Sequence, residues 1–167
     1  MIHYKEADIE IGFILNGEDV IIHSKANIRL IDILRNNFGL LKTKTGCLCG
    51  KCGFCSVLFN GSICLACMIP AFKLHRNEII TIEGFSHTNE YQDIVKGFAA
   101  AGLSPCAYCI NSKILVAAAL LEKSKRPEKK EILDAYGGVK CRCSEPEKLL
   151  EAIEKTIDIR HRRLYGR

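Results

Sequence analysis

The feature that most constrains this 167-residue chain is its ten cysteines, eight of which form two groups, one in each half of the sequence. The groups are Cys47, Cys52, Cys55 and Cys67, then Cys106, Cys109, Cys141 and Cys143. So many cysteines indicate either a disulfide framework or a metal or redox site. The first residues, Met1 to Glu6, lack the basic and apolar blocks of a secretory signal. We therefore expect a reducing, cytoplasmic location and metal binding by thiols rather than disulfides.

The first group has the spacing Cys47-x4-Cys52-x2-Cys55, which is typical of plant-type [2Fe–2S] ferredoxins, with Cys67 as the later fourth cysteine. Glycines in this segment allow the backbone to approach a cluster and offer it N–H groups. A zinc site is the alternative, because C-x2-C pairs also supply tetrahedral thiolates. The pairs concerned are Cys49/Cys52, Cys52/Cys55 and Cys64/Cys67.

The second group consists of Cys106-x2-Cys109 and Cys141-x-Cys143. Each pair directly precedes a predicted helix, whose positive N-terminal end favours anionic sulfur. We interpret this group as a second metal centre. The two remaining cysteines, Cys49 and Cys64, are expected to be small buried or half-buried residues rather than ligands, although Cys64 could replace Cys67 as the fourth ligand.

Strand signals fill the first half of the chain. Apolar runs around Asn16-Gly17 and Asn60-Gly61 predict two β-hairpins, and residues 78–83 predict a further strand. Between the hairpins, Asn27 is expected to cap a short helix that ends at Gly39.

After about residue 86 the apolar spacing becomes helical. It predicts helices over 89–101, 112–123 and 128–136, and a fourth that opens with a capping box between Ser144 and Glu147. The sequence thus predicts an α+β chain with a strand-rich part followed by four helices.

The formal net charge of +5 hints at an acidic partner such as nucleic acid. However, the basic runs at 123–130 and 160–167 lack interleaved aromatic residues and are expected to be solvated surface. Two oxidised clusters, each about −2 with its thiolates, would bring the net charge to about +1. We therefore predict no nucleic-acid partner. The longest apolar run, 114–121, is too short for a membrane span, so no membrane partner is expected either.

The motifs together resemble the small iron–sulfur subunit of the molybdenum hydroxylases, the xanthine dehydrogenase and aldehyde oxidase family. The resemblance runs from about residue 9 to residue 160 and is carried by the following segments. They are Gly46-Cys47-x2-Gly50-x-Cys52-Gly53-x-Cys55, Val57, Asn60-Gly61, Cys67, Ile80-Thr81-Ile82-Glu83-Gly84, Gln92, Phe98, Cys106-x2-Cys109 and Cys141-Arg142-Cys143. It implies a β-grasp ferredoxin-like domain (1–85) and a four-helix domain (86–167), each binding one [2Fe–2S] cluster through its own group of four cysteines.

The resemblance also implies a function as an electron-transfer subunit. Electrons would pass from a large molybdopterin subunit through both clusters to FAD on a medium subunit. No catalytic residue is expected in this chain, because its five histidines are scattered. One departure from the family is Pro105, which stands where the family usually has a glutamine expected to hydrogen-bond the pterin. The alternative function is a freestanding two-cluster carrier without a molybdenum partner.

Overall fold

The computed structural model describes residues 8–166. Residues 1–7, which carry the prediction about a secretory signal, and Arg167 lie outside the described residues. The chain is α+β, as predicted, with five strands in its first half and most of its helices in the second.

A five-stranded mixed sheet has the strand order β2-β1-β5-β3-β4. Its strands are β1 (Ile9–Leu15), β2 (Glu18–Ser24), β3 (Ser56–Phe59), β4 (Ser62–Leu65) and β5 (Glu78–Ile80). β1 and β5 are parallel, whereas the other neighbouring strands are antiparallel. Both predicted hairpins are confirmed: each Asn-Gly turn has two residues with positive φ, as tight hairpin turns require.

The predicted strand over 78–83 is too long, because β5 ends at Ile80. The side chain of Asn16 accepts a hydrogen bond from the Thr81 N–H at 2.8 Å, so that this N–H pairs with a side chain instead of a strand. A single helical turn, α2 (Ile82–Phe85), follows and buries both of its terminal side chains.

The short helix between the hairpins is α1 (Leu30–Asn36). The predicted cap at Asn27 is wrong, because the N-cap is Arg29, whose side chain bonds Asp32 at 2.9 Å. The predicted stop is correct: Gly39 has a φ of 65°, which reverses the chain after the helix. Two 3-10 turns, Ala66–Met68 and Ala71–Leu74, then lead to β5.

The four helices of the second half form close to their predicted positions. They are α3 (Asn89–Ala100), α4 (Ile110–Lys123), α5 (Lys129–Tyr136) and α6 (Pro146–Tyr165). The predicted capping box at Ser144 is wrong, because the N-cap of α6 is Glu145, with no side-chain cap. The Ser144 hydroxyl instead lies 3.9 Å from the Cys143 sulfur. Within residues 8–166, no helix is both long enough and apolar enough to cross a membrane.

The buried side chains form two apolar cores. One lies between the sheet and α1, with Leu30 and Ile79 fully buried. The other lies among α3–α6 and also includes Leu58, Ile82 and Phe85 from the strand-rich part. The helices therefore pack directly on one side of the sheet, and this packing brings the two cysteine-bearing regions together.

Candidate metal centres

The four cysteines of the second group converge at the N-terminal ends of α4 and α6. The sulfur of Cys143 lies 3.0 Å from that of Cys109 and 3.4 Å from that of Cys141. The sulfurs of Cys106 and Cys109 are 3.6 Å apart. Three of these side chains, those of Cys106, Cys109 and Cys143, place their sulfurs within 4.8 Å of one another, which is a spacing at which they could share a metal centre.

Local backbone geometry explains the position of these thiols. The N–H groups of Cys109 and Ile110 both bond the Cys106 carbonyl, which makes a tight turn leading into α4. Cys109 is the N-cap of that helix and is fully buried. The Cys106 N–H points at the Cys143 sulfur at 3.4 Å, so backbone donors face the thiols as they would face a cluster.

Three cysteines of the first group, Cys47, Cys52 and Cys55, lie in a tightly folded loop between α1 and β3. The Cys47 sulfur accepts hydrogen bonds from the N–H groups of Lys51 at 3.1 Å and Cys49 at 3.5 Å. The Cys52 sulfur accepts from the Cys47 N–H at 3.4 Å. Cys55, at the loop's end, and Cys67, after β4, are buried, and their thiols interact with each other.

One glycine of this loop has no room for a side chain. A Cβ at Gly46 would lie 2.7 Å from the Cys52 sulfur and 2.8 Å from the Phe54 ring. Glycine is expected here to let the backbone approach a cluster; the close approach seen at Gly46 is to the Cys52 sulfur and the Phe54 ring.

Within each group, one thiol has a lowered pKa and another has a raised pKa. Hydrogen bonds from the N–H groups of Cys49 and Lys51 lower the pKa of Cys47 to about 6. Burial opposes ionisation of Cys143, but the Cys106 N–H and the neighbouring thiols outweigh it and lower the pKa to about 6. Burial raises the pKa of Cys55 to about 12 and raises that of Cys109 further. Each group thus contains one thiol readily deprotonated and one that requires a bound cation to ionise.

The two cysteines outside the groups differ from each other. Cys64 is half-buried, as expected, and burial raises its pKa. Cys49 is exposed, so the expectation of a buried or half-buried residue is wrong for this position. A hydrogen bond to the Cys47 side chain raises the pKa of Cys49. All ten cysteines are free thiols.

The two cysteine regions touch through contacts that no sequence signal indicated. The Cys52 carbonyl accepts a hydrogen bond at 3.0 Å from the N–H of Lys140, the residue before Cys141. The Tyr108 hydroxyl donates to the Thr45 carbonyl, and its ring packs edge-on against Phe54 with centroids 5.3 Å apart. The side chains responsible come from positions more than 50 residues apart, which is why local patterns did not reveal them.

The donor sets suit an iron–sulfur cluster. Both groups offer four thiols, and backbone N–H groups point at the Cys47, Cys52 and Cys143 sulfurs. Thiolates with such donors are the usual surroundings of Fe–S clusters, although four thiolates alone also suit zinc.

Comparison with known proteins supports an iron–sulfur centre in the second group. Residues 81–154, which include the second group, match the family model described as the [2Fe-2S] binding domain. The small FeS subunit of nicotinate dehydrogenase from Eubacterium barkeri is 38% identical over 150 residues, or 90% of this chain and 96% of that protein.

Two solved structures are also similar. One is quinoline 2-oxidoreductase from Pseudomonas putida 86, with a TM-score of 0.83 and 25% identity, covering 96% of this chain and 99% of that chain. The other is the aldehyde oxidoreductase from Desulfovibrio desulfuricans, with a TM-score of 0.80 and 26% identity. There the match covers 91% of this chain but only 17% of the much longer aldehyde oxidoreductase chain.

Proposed function

This chain belongs to the family of small [2Fe–2S] iron–sulfur subunits of the molybdenum hydroxylases, the xanthine dehydrogenase and aldehyde oxidase family. On that premise we propose that it relays electrons through two [2Fe–2S] clusters, from a molybdopterin subunit to an FAD subunit. It is an electron-transfer component of an oxidoreductase. The substrate is oxidised on the large subunit, and this chain contributes no catalytic residue.

The proposed ligands follow the two cysteine groups. Cys47, Cys52, Cys55 and Cys67 hold one cluster in a ferredoxin-like domain over residues 1–85, which has a β-grasp arrangement. Cys106, Cys109, Cys141 and Cys143 hold the other in a four-helix domain over residues 86–167. The two separate apolar cores support this division, and three buried side chains of the first part complete the helical core, so the domains dock firmly.

The observation that carries the proposal is the direct contact between the two cysteine regions. The hydrogen bond from the Lys140 N–H to the Cys52 carbonyl joins a ligand of one cluster to the residue beside a ligand of the other. When bound, each cluster accepts and releases one electron. The fold's part is to hold the two sites as neighbours and to supply the backbone donors that set their potentials.

Exposure at both ends supports two partners. Cys106 and Cys143 lie at the surface of the helical part, while Cys47 lies at the surface of the strand-rich part. A donor and an acceptor could therefore each approach a different cysteine group. The relative from Eubacterium barkeri is named as a small subunit, which supports a large partner for this chain.

Ligand replacement tests the two-cluster assignment. Chain purified without oxygen is expected to hold about four irons and to give two EPR signals when reduced. Cys47→Ser should remove one signal, and Cys106→Ser the other. The matched control is Cys64→Ser, which should keep both signals because Cys64 is outside both groups. Loss of both signals from a folded Cys47→Ser protein would contradict separate sites.

The partner assignment has its own test. The chain, tagged in its native host, should co-purify with a molybdopterin-containing subunit and a flavin-containing subunit. Recovery of the two-cluster chain alone under these conditions would support the freestanding carrier instead.

A further inference from the structure

The helix α4 buries a lysine in the apolar core. Lys113 is 2% exposed and is one of the largest fully buried side chains. Within residues 8–166, no carboxylate forms an ion pair with its ammonium and no side chain accepts a hydrogen bond from it. An ammonium buried without a counter-charge is strongly unfavourable. A buried lysine is tolerated either as the neutral amine or beside a negative group, and a bound cluster would be such a group.

The surroundings of Lys113 supply no such charge by themselves. Its neighbours on α4, Ile114 and Leu115, are apolar and buried, and Ser112 is buried with an unpartnered hydroxyl. On α5, the ring of Tyr136 lies under the ammonium at 5.9 Å. Burial raises the pKa of Tyr136, and its hydroxyl donates to the Lys113 carbonyl at 3.1 Å, so this phenol is neutral. The ring stabilises the cation weakly at this distance.

The position of Lys113 in the helix indicates the second cysteine group as the negative centre nearest to it along the chain. Lys113 is four residues after Cys109, and its N–H bonds the Cys109 carbonyl. Residues four apart share a helix face, and long side chains lean toward the helix N-terminus, here toward Cys109. The rise between these two residues is only about 6 Å. Tyr136, whose ring lies under the ammonium, is the last residue of α5, and the segment after it leads to Cys141 and Cys143.

We propose that Lys113 is the built-in counter-charge of the helical-domain cluster, and that its ammonium raises the reduction potential of that cluster relative to the ferredoxin-like one. This inference rests on the proposed function, since it requires a cluster on Cys106, Cys109, Cys141 and Cys143. Reduction adds one electron to a centre that carries about −2 with its thiolates. A fixed positive charge favours the more negative reduced form, so this cluster is easier to reduce with the Lys113 ammonium than it would be without it.

Replacement by methionine removes the charge while keeping the length of the side chain. A unit charge about 10 Å away, at an effective dielectric constant of about 20, changes an equilibrium constant by about tenfold. Lys113→Met should therefore lower the midpoint potential of the helical-domain cluster by about 59 mV, the value of one decade for a one-electron couple. The measurement is an anaerobic redox titration of the four-iron protein followed by EPR.

Two variants separate charge from structure. Lys113→Arg keeps the charge and should leave the potential near that of the parent protein. Lys123→Met removes the same charge at the exposed far end of α4, about 21 Å along the helix from Cys109, and should change neither potential. The ferredoxin-like cluster of Lys113→Met serves as an internal reference and should shift less than the helical-domain cluster. Should the methionine variant fail to fold, Lys113→Gln is the second neutral replacement.

The outcomes distinguish this inference from the proposed function. Equal potentials in Lys113→Met and the parent, with four irons and both signals retained, would overturn the role of Lys113 and leave the relay intact. An equal shift in Lys113→Met and Lys113→Arg would also overturn it, because the effect would then come from packing. Parent protein without a cluster on the second cysteine group would instead overturn the proposed function.

Discussion

The chemistry of this chain at the residue scale depends on unequal environments within each group of four thiols. Cys47 and Cys143 lie at the surface and receive N–H donors, whereas Cys55 and Cys109 are buried. If each group binds a proposed cluster, the buried thiols would ionise on binding, because only thiolates ligate the metal. This arrangement excludes water from one side of each site and leaves the other side open.

The unequal acidities predict selective modification of the iron-free protein. At pH 7, Cys47 and Cys143 should react with iodoacetamide faster than Cys55 and Cys109, because only a thiolate is nucleophilic. Their pKa values are lowered to about 6, so their rates should fall as the pH drops below about 6. Mass spectrometry of peptides from timed samples measures the rates. Equal rates at all four sites in the folded protein, matching those in denaturant, would contradict the assigned environments.

At the element scale, the contact between α3 and α6 holds the helical part together. Gly97 of α3 lies so close to α6 that an added Cβ would be 2.7 Å from the Thr156 nitrogen. Near the end of α6, Arg163 pairs with Asp93 at 2.8 Å and with Glu90 at 3.2 Å. Arg163 belongs to a basic run predicted as solvated surface, and it is exposed as expected while it pairs with these two carboxylates.

Close approach of these helices predicts the effect of a single methyl group. Gly97→Ala should lower the free energy of unfolding by about 1–2 kcal/mol, because overpacking against backbone, at the upper end of about 1–3 kcal/mol, exceeds the gain of about 1 kcal/mol in helix propensity. Gly138→Ala is the control, since a Cβ there meets nothing within 4 Å. Urea denaturation followed by circular dichroism gives both values. A Gly97→Ala protein as stable as the parent would show that the helices can separate without loss.

At the scale of the whole molecule, the proposed relay depends on contact between two regions that are distant in sequence. Gly53, between Cys52 and Cys55, packs against the backbone before Cys141: an added Cβ would lie 2.3 Å from the Gly138 carbonyl oxygen. The Lys140 to Cys52 hydrogen bond lies beside it. This junction sets the separation of the two proposed clusters.

Two glycines of one loop make a matched pair to test the junction. Gly53 and Gly50 both have a left-handed backbone, with φ of 78° and 77°, so alanine strains both by about 1 kcal/mol. At Gly50 the new Cβ would meet only the flexible Met68 side chain, at 3.1 Å. Gly53→Ala should therefore lower the free energy of unfolding by about 1–3 kcal/mol more than Gly50→Ala. It should also weaken the magnetic coupling between the reduced clusters in EPR.

The two variants can also fail to differ. Equal stability and unchanged coupling in Gly53→Ala and Gly50→Ala would mean that the junction yields easily and does not fix the separation of the clusters.

Signals local in the sequence were sufficient for the elements and the family. Asn-Gly turns determined both hairpins, since a tight turn needs residues that tolerate positive φ. Helical periodicity determined α3–α6, and the cysteine spacings led to the family that the comparisons support. The strand over 78–83 was predicted too long because the distant Asn16 side chain ends β5 early. The predicted cap at Ser144 was wrong for a local reason, because its hydroxyl lies beside the sulfur of the neighbouring Cys143.

Only the tertiary structure decided which thiols are buried, where the two cysteine regions meet and what surrounds Lys113. The reason is that each depends on residues brought together by packing, such as Gly53 with Gly138 and Lys113 with Tyr136. Spacing along the chain can specify a ligand set, because ligands must reach one metal centre from a few short segments. It cannot specify the electrostatic surroundings of that centre, because those come from whichever helix and strand faces pack around it.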